Sequence, residues 1–467
     1  MTRFDAIILG AGQAGPSLAG RLTAAGMTVA LVERKLFGGT CVNTGCMPTK
    51  TLVASARAAH VVRHAEDYGV TIAGDMKIDM ARVKARADTV STNARTNVEK
   101  WLKGMDRCTV FEGHARFESP DVLCVSRGGR GGGEERISAE RIFINVGGRA
   151  SVPEFPGIEH IPYLTNTSML ALDKLPCHLV VIGGSYVGLE FAQIYRRFGS
   201  DVTVVEKGPR IIAREDEDVS DTVKSILERE GIGFRLDAEC IGFAADARSV
   251  TVHVNCASDD RTVKGSHVLL AVGRRPNTDD LGLDRAGVAV DHRGYIVVDD
   301  ELRTNVPGIW ALGDCNGRGA FTHTSYNDFE IVAANLLDGD SRRLSDRIPC
   351  YALYTDPPLG RVGLDETQAR KAGKPYLVGT RPMSRVGRAI EKGETAGFMK
   401  VIVDAETKKI LGGTILGTEG DEAIHGILDM MYAGVPYTTL QRSVAIHPTV
   451  SELIPTMLGE LKPGGSA

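Results

Sequence analysis

Nowhere in this sequence do about 18 apolar residues follow one another, the length a helix needs to cross a hydrocarbon core, so no membrane span is expected. Positive charge is not in excess either: 55 Lys and Arg stand against 59 Asp and Glu, a formal net charge of -4. A nucleic-acid partner, which needs a Lys/Arg-rich face to neutralise phosphates, is therefore not expected. The run ahead of the first apolar strand, Met1-Thr-Arg-Phe-Asp, is too short for a charged n-region or a transit peptide, and a cytoplasmic location is the default expectation. Paired cysteines are scarce as well. The nine cysteines are an odd number, spread mostly singly through apolar surroundings, unlike a secreted disulfide framework. With no second Cys pair or His pair beside the one close pair, a zinc site is not expected, and no metal ligands are assigned.

What is present is an ordinary globular composition, 43% hydrophobic and 24% charged, over 467 residues, enough for about three cores. An internal repeat organises it: residues 4–34 fall on residues 177–207 at a constant offset of 173. Gly10, Gly12 and Gly15 fall on Gly183, Ser185 and Gly188, Gly26 falls on Gly199, and Glu33 falls on Glu206. Each copy reads as a buried strand, a glycine turn, an amphipathic helix and a second strand (Val29–Val32; Val202–Val205) that ends in an acid. In such a βαβ unit the first Gly makes the tight turn, the second lets a pyrophosphate approach, and the third lets helix and strand pack, while the helix N-terminus faces the phosphates. The terminal acid accepts hydrogen bonds from a ribose. Pro16, in the first helical turn, loses no needed N–H. Ser185 departs from the pattern and narrows the room for a pyrophosphate, which predicts looser or reoriented binding at the second site.

Between the repeats the pattern predicts a helix over 80–103, strands, and a hairpin tip at Arg127–Glu134 whose glycines serve the turn. A return strand, Leu269–Asn277, passes through Gly273, and Thr304–Asp314 is a short strand ending in Gly313-Asp314, a carboxylate at a sheet's C-terminal edge. From about residue 346, alternating strands and two helices carry no nucleotide motif. The expected fold is α/β, with two Rossmann-like dinucleotide-binding domains at 1–150 plus 276–345 and at 151–275, and an α+β domain at 346–467.

The chemistry-bearing segment is Gly38-Gly39-Thr40-Cys41-Val-Asn-Thr-Gly-Cys46-Met-Pro-Thr-Lys50. Two thiols with four residues between them, opening a helix, can close a small ring. The helix dipole and Lys50 would lower the pKa of one of them. The alternative is a pair of buried cysteines that never bond. Near the other end, His447-Pro448-Thr449-Val-Ser-Glu452 places an imidazole just before a proline-initiated helix and a carboxylate one turn into it. Glu452 could fix the ring's tautomer and raise its basicity, though such a His is catalytic only beside a partner thiol. Cys315 reads as a small buried filler, and Cys108, Cys124, Cys177, Cys240, Cys256 and Cys350 as core.

The order GGTCVNTGC, GGSYVGLE, TNVPGIWALGD and HPTVSE resembles the pyridine nucleotide-disulfide oxidoreductases, among them dihydrolipoamide dehydrogenase, glutathione reductase and mercuric reductase, over essentially the whole chain. The resemblance implies FAD held by Gly10, Gly12, Gly15, Glu33, Gly39, Thr40, Lys50, Gly313 and Asp314. It implies a nicotinamide dinucleotide at Gly183, Ser185, Gly188, Glu206 and Gly273. Cys46 would be the charge-transfer thiol beside the flavin and Cys41 the exchange thiol of a redox disulfide. Lys50 would pair with Glu190 near the reactive ring nitrogen, and Tyr186 would gate the nicotinamide side. His447 and Glu452 would serve the active site of the other subunit of a homodimer.

Glu206, placed to repel a 2′-phosphate, predicts NADH over NADPH, with Lys207 and Arg210 nearby as possible phosphate partners. After Glu452 no cysteine follows, and no N-terminal metal-binding module precedes the first repeat, so efficient Hg(II) reduction and a C-terminal thiol relay are not expected. The segments Phe321–Glu330 and Tyr354–Gly363 resemble the mercuric-reductase-like branch, with Phe-Thr-His-Thr where an Ala-His-Lys-Ala-like run is usual. The expected acceptor is a small disulfide, a soft metal ion or another small oxidant. Dihydrolipoamide dehydrogenase and a non-catalytic flavoprotein sensor are the alternatives.

Overall fold

A strand buried on both faces must be apolar throughout, and Ala6–Leu9 and Leu179–Ile182 are. In the computed structural model, which describes residues 1–127, 133–246, 249–255 and 261–465, each pairs parallel with a strand on either side, in a sheet that is mixed in the first case and parallel in the second. The first sheet orders its strands as Cys108–Glu112, Val29–Glu33, Thr2–Leu9, Glu134–Ile144, Val122–Ser126 and His114–Ser119, with Ile309–Ala311 added parallel to the end of Glu134–Ile144. The second orders Gly233–Arg235, Asp201–Val205, His178–Ile182, His267–Leu270 and Tyr163–Leu164. Two short antiparallel strands, Gly148–Ala150 and Arg274–Pro276, link the two units. Helix Met80–Lys103 lies where the pattern puts it, capped by Asp79, whose side chain accepts from the Arg82 N–H. Ser126 pairs with Glu134 across the expected hairpin, whose residues 128–132 lie outside the described residues.

The chain beyond residue 346 forms a six-stranded antiparallel sheet from Cys350–Leu353 to Lys462–Pro463. Among the described residues it carries six short helices where two were expected; Gly434, Pro436 and Pro448 separate the last three, His425–Ala433, Thr438–Gln441 and Leu453–Leu458. One of the expected starts shifts. The helix after His447 begins at Leu453, and Glu452 is its N-cap. The Thr449 hydroxyl donates to the Ile446 carbonyl at 2.8 Å and accepts the Glu452 N–H at 3.2 Å, so a local turn occupies the place of the first helical turn. The lone cysteines divide: Cys124 and Cys315 are buried, Cys108 and Cys350 half-buried. Cys177 is exposed, contrary to the core reading, because it sits in the loop before the strand His178–Ile182. Cys256 lies outside the described residues.

Candidate active site between the two nucleotide units

The two glycine turns share one backbone plan. Gly10 and Gly183 have φ of 102° and 111°, a left-handed conformation that favours glycine. A Cβ on Gly15 would lie 2.3 Å from the Gly10 carbonyl oxygen, and one on Gly188 2.1 Å from that of Gly183. Glu33 accepts the Ala11 and Lys35 N–H groups, both at 2.8 Å. Glu206 accepts those of Gly184 and Gly208, at 2.6 and 2.9 Å. Gly12 packs against the loop that carries the cysteines: a Cβ on Gly39 would stand 2.8 Å from the Gly12 Cα. Ser185 caps the helix Tyr186–Phe198 with extended backbone, and its hydroxyl is not used in the cap.

One cavity of about 2250 Å³ runs past both turns. Its lining includes Gly10, Gly12, Glu33, Gly39, Thr40, Cys41, Cys46, Lys50 and Asp314 on one side and Gly183, Ser185, Tyr186, Glu190, Glu206 and Gly273 on the other. Pockets for one small ligand hold about 300–1,000 Å³. This one has room for two dinucleotides end to end. The first unit fits FAD: a helix N-terminus for the pyrophosphate, Glu33 for a ribose, and open backbone at Gly147, where an added Cβ would meet nothing within 4 Å. Burial raises the pKa of both Glu33 and Asp314, opposed at Glu33 by the backbone N–H groups and at Asp314 by Arg274, whose Nη2 lies 3.4 Å from its carboxylate. Gly313 donates its N–H to Asp328 at 2.7 Å, which fixes the strand end that presents Asp314.

The two cysteines do not share one helix. Cys41 lies in the short helix Gly39–Thr44, and Cys46 is the first residue of Cys46–Arg63, after a break at Gly45. The dipole of the longer helix therefore acts on Cys46. Both are free thiols here, hydrogen-bonded to each other. The hydrogen bond from Cys41, with the Thr322 hydroxyl 3.2 Å away and the Lys50 charge, outweighs burial and lowers Cys46 to about 6. The same bond, together with burial, pushes Cys41 above the ordinary thiol range. Lys50 donates to both oxygens of Glu190, at 2.8 and 2.7 Å, and lies 4.5 Å from the centre of the Tyr354 ring. The Tyr354 N–H closes the other side of that carboxylate at 3.1 Å. Thr322 and Tyr354 fall in segments to which the sequence pattern gives no catalytic role; the Phe-Thr-His-Thr departure is the one signal that marks Thr322.

His447 and Glu452 pair through Nδ1 and Oε2 at 2.8 Å. They are absent from the lining of the cysteine cavity, and the imidazole is 78% exposed, flanked by Val444 (99%) and Ile446 (79%). Among the described residues, no group of three or more His, Cys, Asp or Glu side chains could hold a metal ion, and no helix is long and apolar enough to cross a membrane.

Residues 4–328 match the pyridine nucleotide-disulphide oxidoreductases, and residues 350–458 match the dimerisation domain of that family. The chain belongs to this family. Its relatives include the probable pyridine nucleotide-disulfide oxidoreductase RclA of Escherichia coli, 36% identical over 99% of this chain and 100% of that one. A dihydrolipoyl dehydrogenase of Halobacterium salinarum is 34% identical (97% and 94% covered), and a mercuric reductase of Streptomyces lividans 32% (97% and 95%). Among solved structures, the HOCl-induced flavoprotein disulfide reductase RclA from Escherichia coli superposes with a TM-score of 0.88 at 36% identity, covering 98% of this chain and 100% of that one. Its Cu(II) complex gives 0.89, with 98% and 99% covered. The pyridine nucleotide-disulphide oxidoreductase described here is thus a flavoprotein of the FAD class, with a domain that indicates a homodimer.

Proposed function

We propose that this oxidoreductase takes its electrons from NADH and delivers them through a Cys41–Cys46 disulfide to a small disulfide, a soft metal ion or another small oxidant. Bound FAD would supply the carrier between the nicotinamide and the disulfide. In balance, NADH, one proton and the disulfide give NAD⁺ and two thiols, and a disulfide acceptor leaves with the two electrons and two protons. The asymmetry between the thiols carries the reading. Cys46, stabilised as thiolate by Cys41, Thr322 and Lys50, stays in the cavity beside the Lys50–Glu190 pair. Cys41 keeps its proton and is the one that meets the acceptor. His447, its Nδ1 held by Glu452, leaves Nε2 to shuttle that proton across the dimer interface, which accounts for its place outside its own subunit's cavity.

Tyr186 stands at the start of its helix over the second turn and guards the nicotinamide side; Glu206, whose clamp repeats that of Glu33, favours a ribose 2′-hydroxyl over a phosphate. The domain limits proposed are 1–150 plus 276–345, 151–275 and 346–467, a division supported by the separate seven-, five- and six-stranded sheets.

Anaerobic reduction with NADH tests the assignment. The long-wavelength thiolate-to-flavin band persists in Cys41→Ser and is lost in Cys46→Ser; the opposite result reverses the roles. A panel of lipoamide, glutathione disulfide, Hg(II), Cu(II) and quinones under NADH then ranks the acceptors. The Escherichia coli Cu(II) complex supports a metal ion among them. Fast turnover of dihydrolipoamide with NAD⁺ would favour instead the dehydrogenase reading, which the Halobacterium salinarum relative supports.

A further inference from the structure

Beneath Tyr186 lies a carboxylate that no step above uses. Glu215 has a side chain with 0% exposure, and one of its oxygens, Oε1, accepts two phenols at once: Tyr186 at 2.7 Å and Tyr351 at 2.6 Å. Its other oxygen has no hydrogen bond and faces Arg361 Nε at 3.4 Å. Arg361 is itself buried, its Nη1 spent on the carbonyls of Val362 and Gly413. The three partners come from different parts of the fold: Tyr186 from the second nucleotide unit, Tyr351 and Arg361 from strands Cys350–Leu353 and Leu359–Gly363 of the dimerisation domain.

The segment carrying Glu215 is fixed at both ends. Ile212 donates its N–H to the Gly184 carbonyl in the second turn at 2.8 Å. Asp216 accepts the N–H groups of Glu366 and Thr367 at 3.0 and 3.1 Å, at the start of the helix Glu366–Lys371, and Lys400 lies 3.3 Å from it. Tyr351 is held too, its ring 5.6 Å from that of Phe321 at an interplanar angle of 10°, and Phe321 is stacked in turn on His323. Of the two phenols on Glu215 Oε1, only Tyr186 lines the cavity.

We infer that Glu215 is a positioning residue that latches Tyr186 closed over the nicotinamide subsite, and that Tyr351 sets the strength of the latch by sharing the same oxygen. This rests on the reading of Tyr186 as the guard of that subsite. A nicotinamide ring enters by displacing the Tyr186 ring and breaking its hydrogen bond to Oε1. Because Tyr351 stays behind, the buried oxygen is not left bare, which would otherwise cost the full desolvation of a charged acceptor. The closed state thus lowers the apparent affinity for the dinucleotide by the fraction of molecules in which the ring has swung away.

The two partners of the latch predict opposite signs. In FAD-loaded enzyme titrated with NAD⁺ and followed by the change in flavin absorbance, Glu215→Gln, which weakens the bond, lowers the dissociation constant by about threefold or more. Tyr351→Phe removes the competing donor and leaves the open state unsatisfied, so it raises that constant by a similar factor. A double variant, Tyr186→Phe with Glu215→Gln, shows no more change than the Tyr186→Phe variant, since both remove one interaction. Loss of packing alone would move Glu215→Gln and Tyr351→Phe in the same direction, and that result overturns the latch. If Tyr186→Phe and Tyr186→Ala change the constant while Glu215→Gln and Tyr351→Phe do not, the guard stands and the latch falls. If no Tyr186 variant changes it, the reading of Tyr186 itself fails.

Discussion

The two nucleotide units share a turn, a clamp and a helix approach, and differ in what stands over the turn. In the first, Gly12 is pressed by Gly39, and the loop behind it delivers Cys41 and Cys46. In the second the loop after the clamp meets the turn at Gly184, whose carbonyl accepts the Ile212 N–H at 2.8 Å; Ser185 stands at the matching place, and the next residue, Tyr186, reaches to a fixed carboxylate. On the proposed reading, one backbone solution serves FAD in the first copy and an exchanging nicotinamide dinucleotide in the second. The difference lies in the side chains and loops laid on top.

The sharpest way to break the comparison is through the third glycines. Gly15→Ala and Gly188→Ala meet the same clash, of the kind that costs about 3 kcal/mol. Gly15→Ala is expected to lose FAD, read from the flavin-to-protein absorbance ratio. Gly188→Ala is expected to keep FAD and lose reduction by NADH, read by stopped flow. Equal loss of flavin in both would mean the units are not separable.

Next in size is the donor preference. Glu206→Ala removes the second clamp, and the ratio of kcat/KM for NADH over NADPH is expected to fall about tenfold. A wild-type preference for NADPH would sink the parallel with Glu33. Smaller again is a pH effect confined to the first unit. Cys46 is depressed to about 6, so its thiolate is present above that pH and is lost as pH falls through it. The pH profile of alkylation of the reduced enzyme should therefore turn near 6, and Lys50→Met should move the turn upward, because the Lys50 charge is one of its causes. Smallest, Ser185→Gly, which restores the pattern of the first turn, should tighten NAD⁺ binding about two- to threefold.

The repeat was legible because it answers to backbone requirements: positive φ at Gly10 and Gly183, and close approach at Gly15 and Gly188, leave few residue types. The His447–Glu452 pair could be placed from spacing, and the Lys50–Glu190 pair through the family resemblance. Glu215 and Tyr351 could not, because 136 positions separate them and neither belongs to a motif. The turn after His447 was misread as helix because the Thr449 hydroxyl competes with the backbone for the Glu452 N–H, a contest that periodicity does not register.

The Lys50–Glu190 ion pair also bears on how the molecule can move. It ties helix Cys46–Arg63 to helix Tyr186–Phe198, and Tyr354 of the third sheet's flank caps the same carboxylate. A second bolt lies alongside: Arg57 and Arg197, one from each helix, grip opposite oxygens of Asp356. Swinging the second unit away as a rigid body would break these ion pairs together. A hinge between the two units would thus have to undo two independent ties at once, whereas the turn of a single side chain leaves both in place.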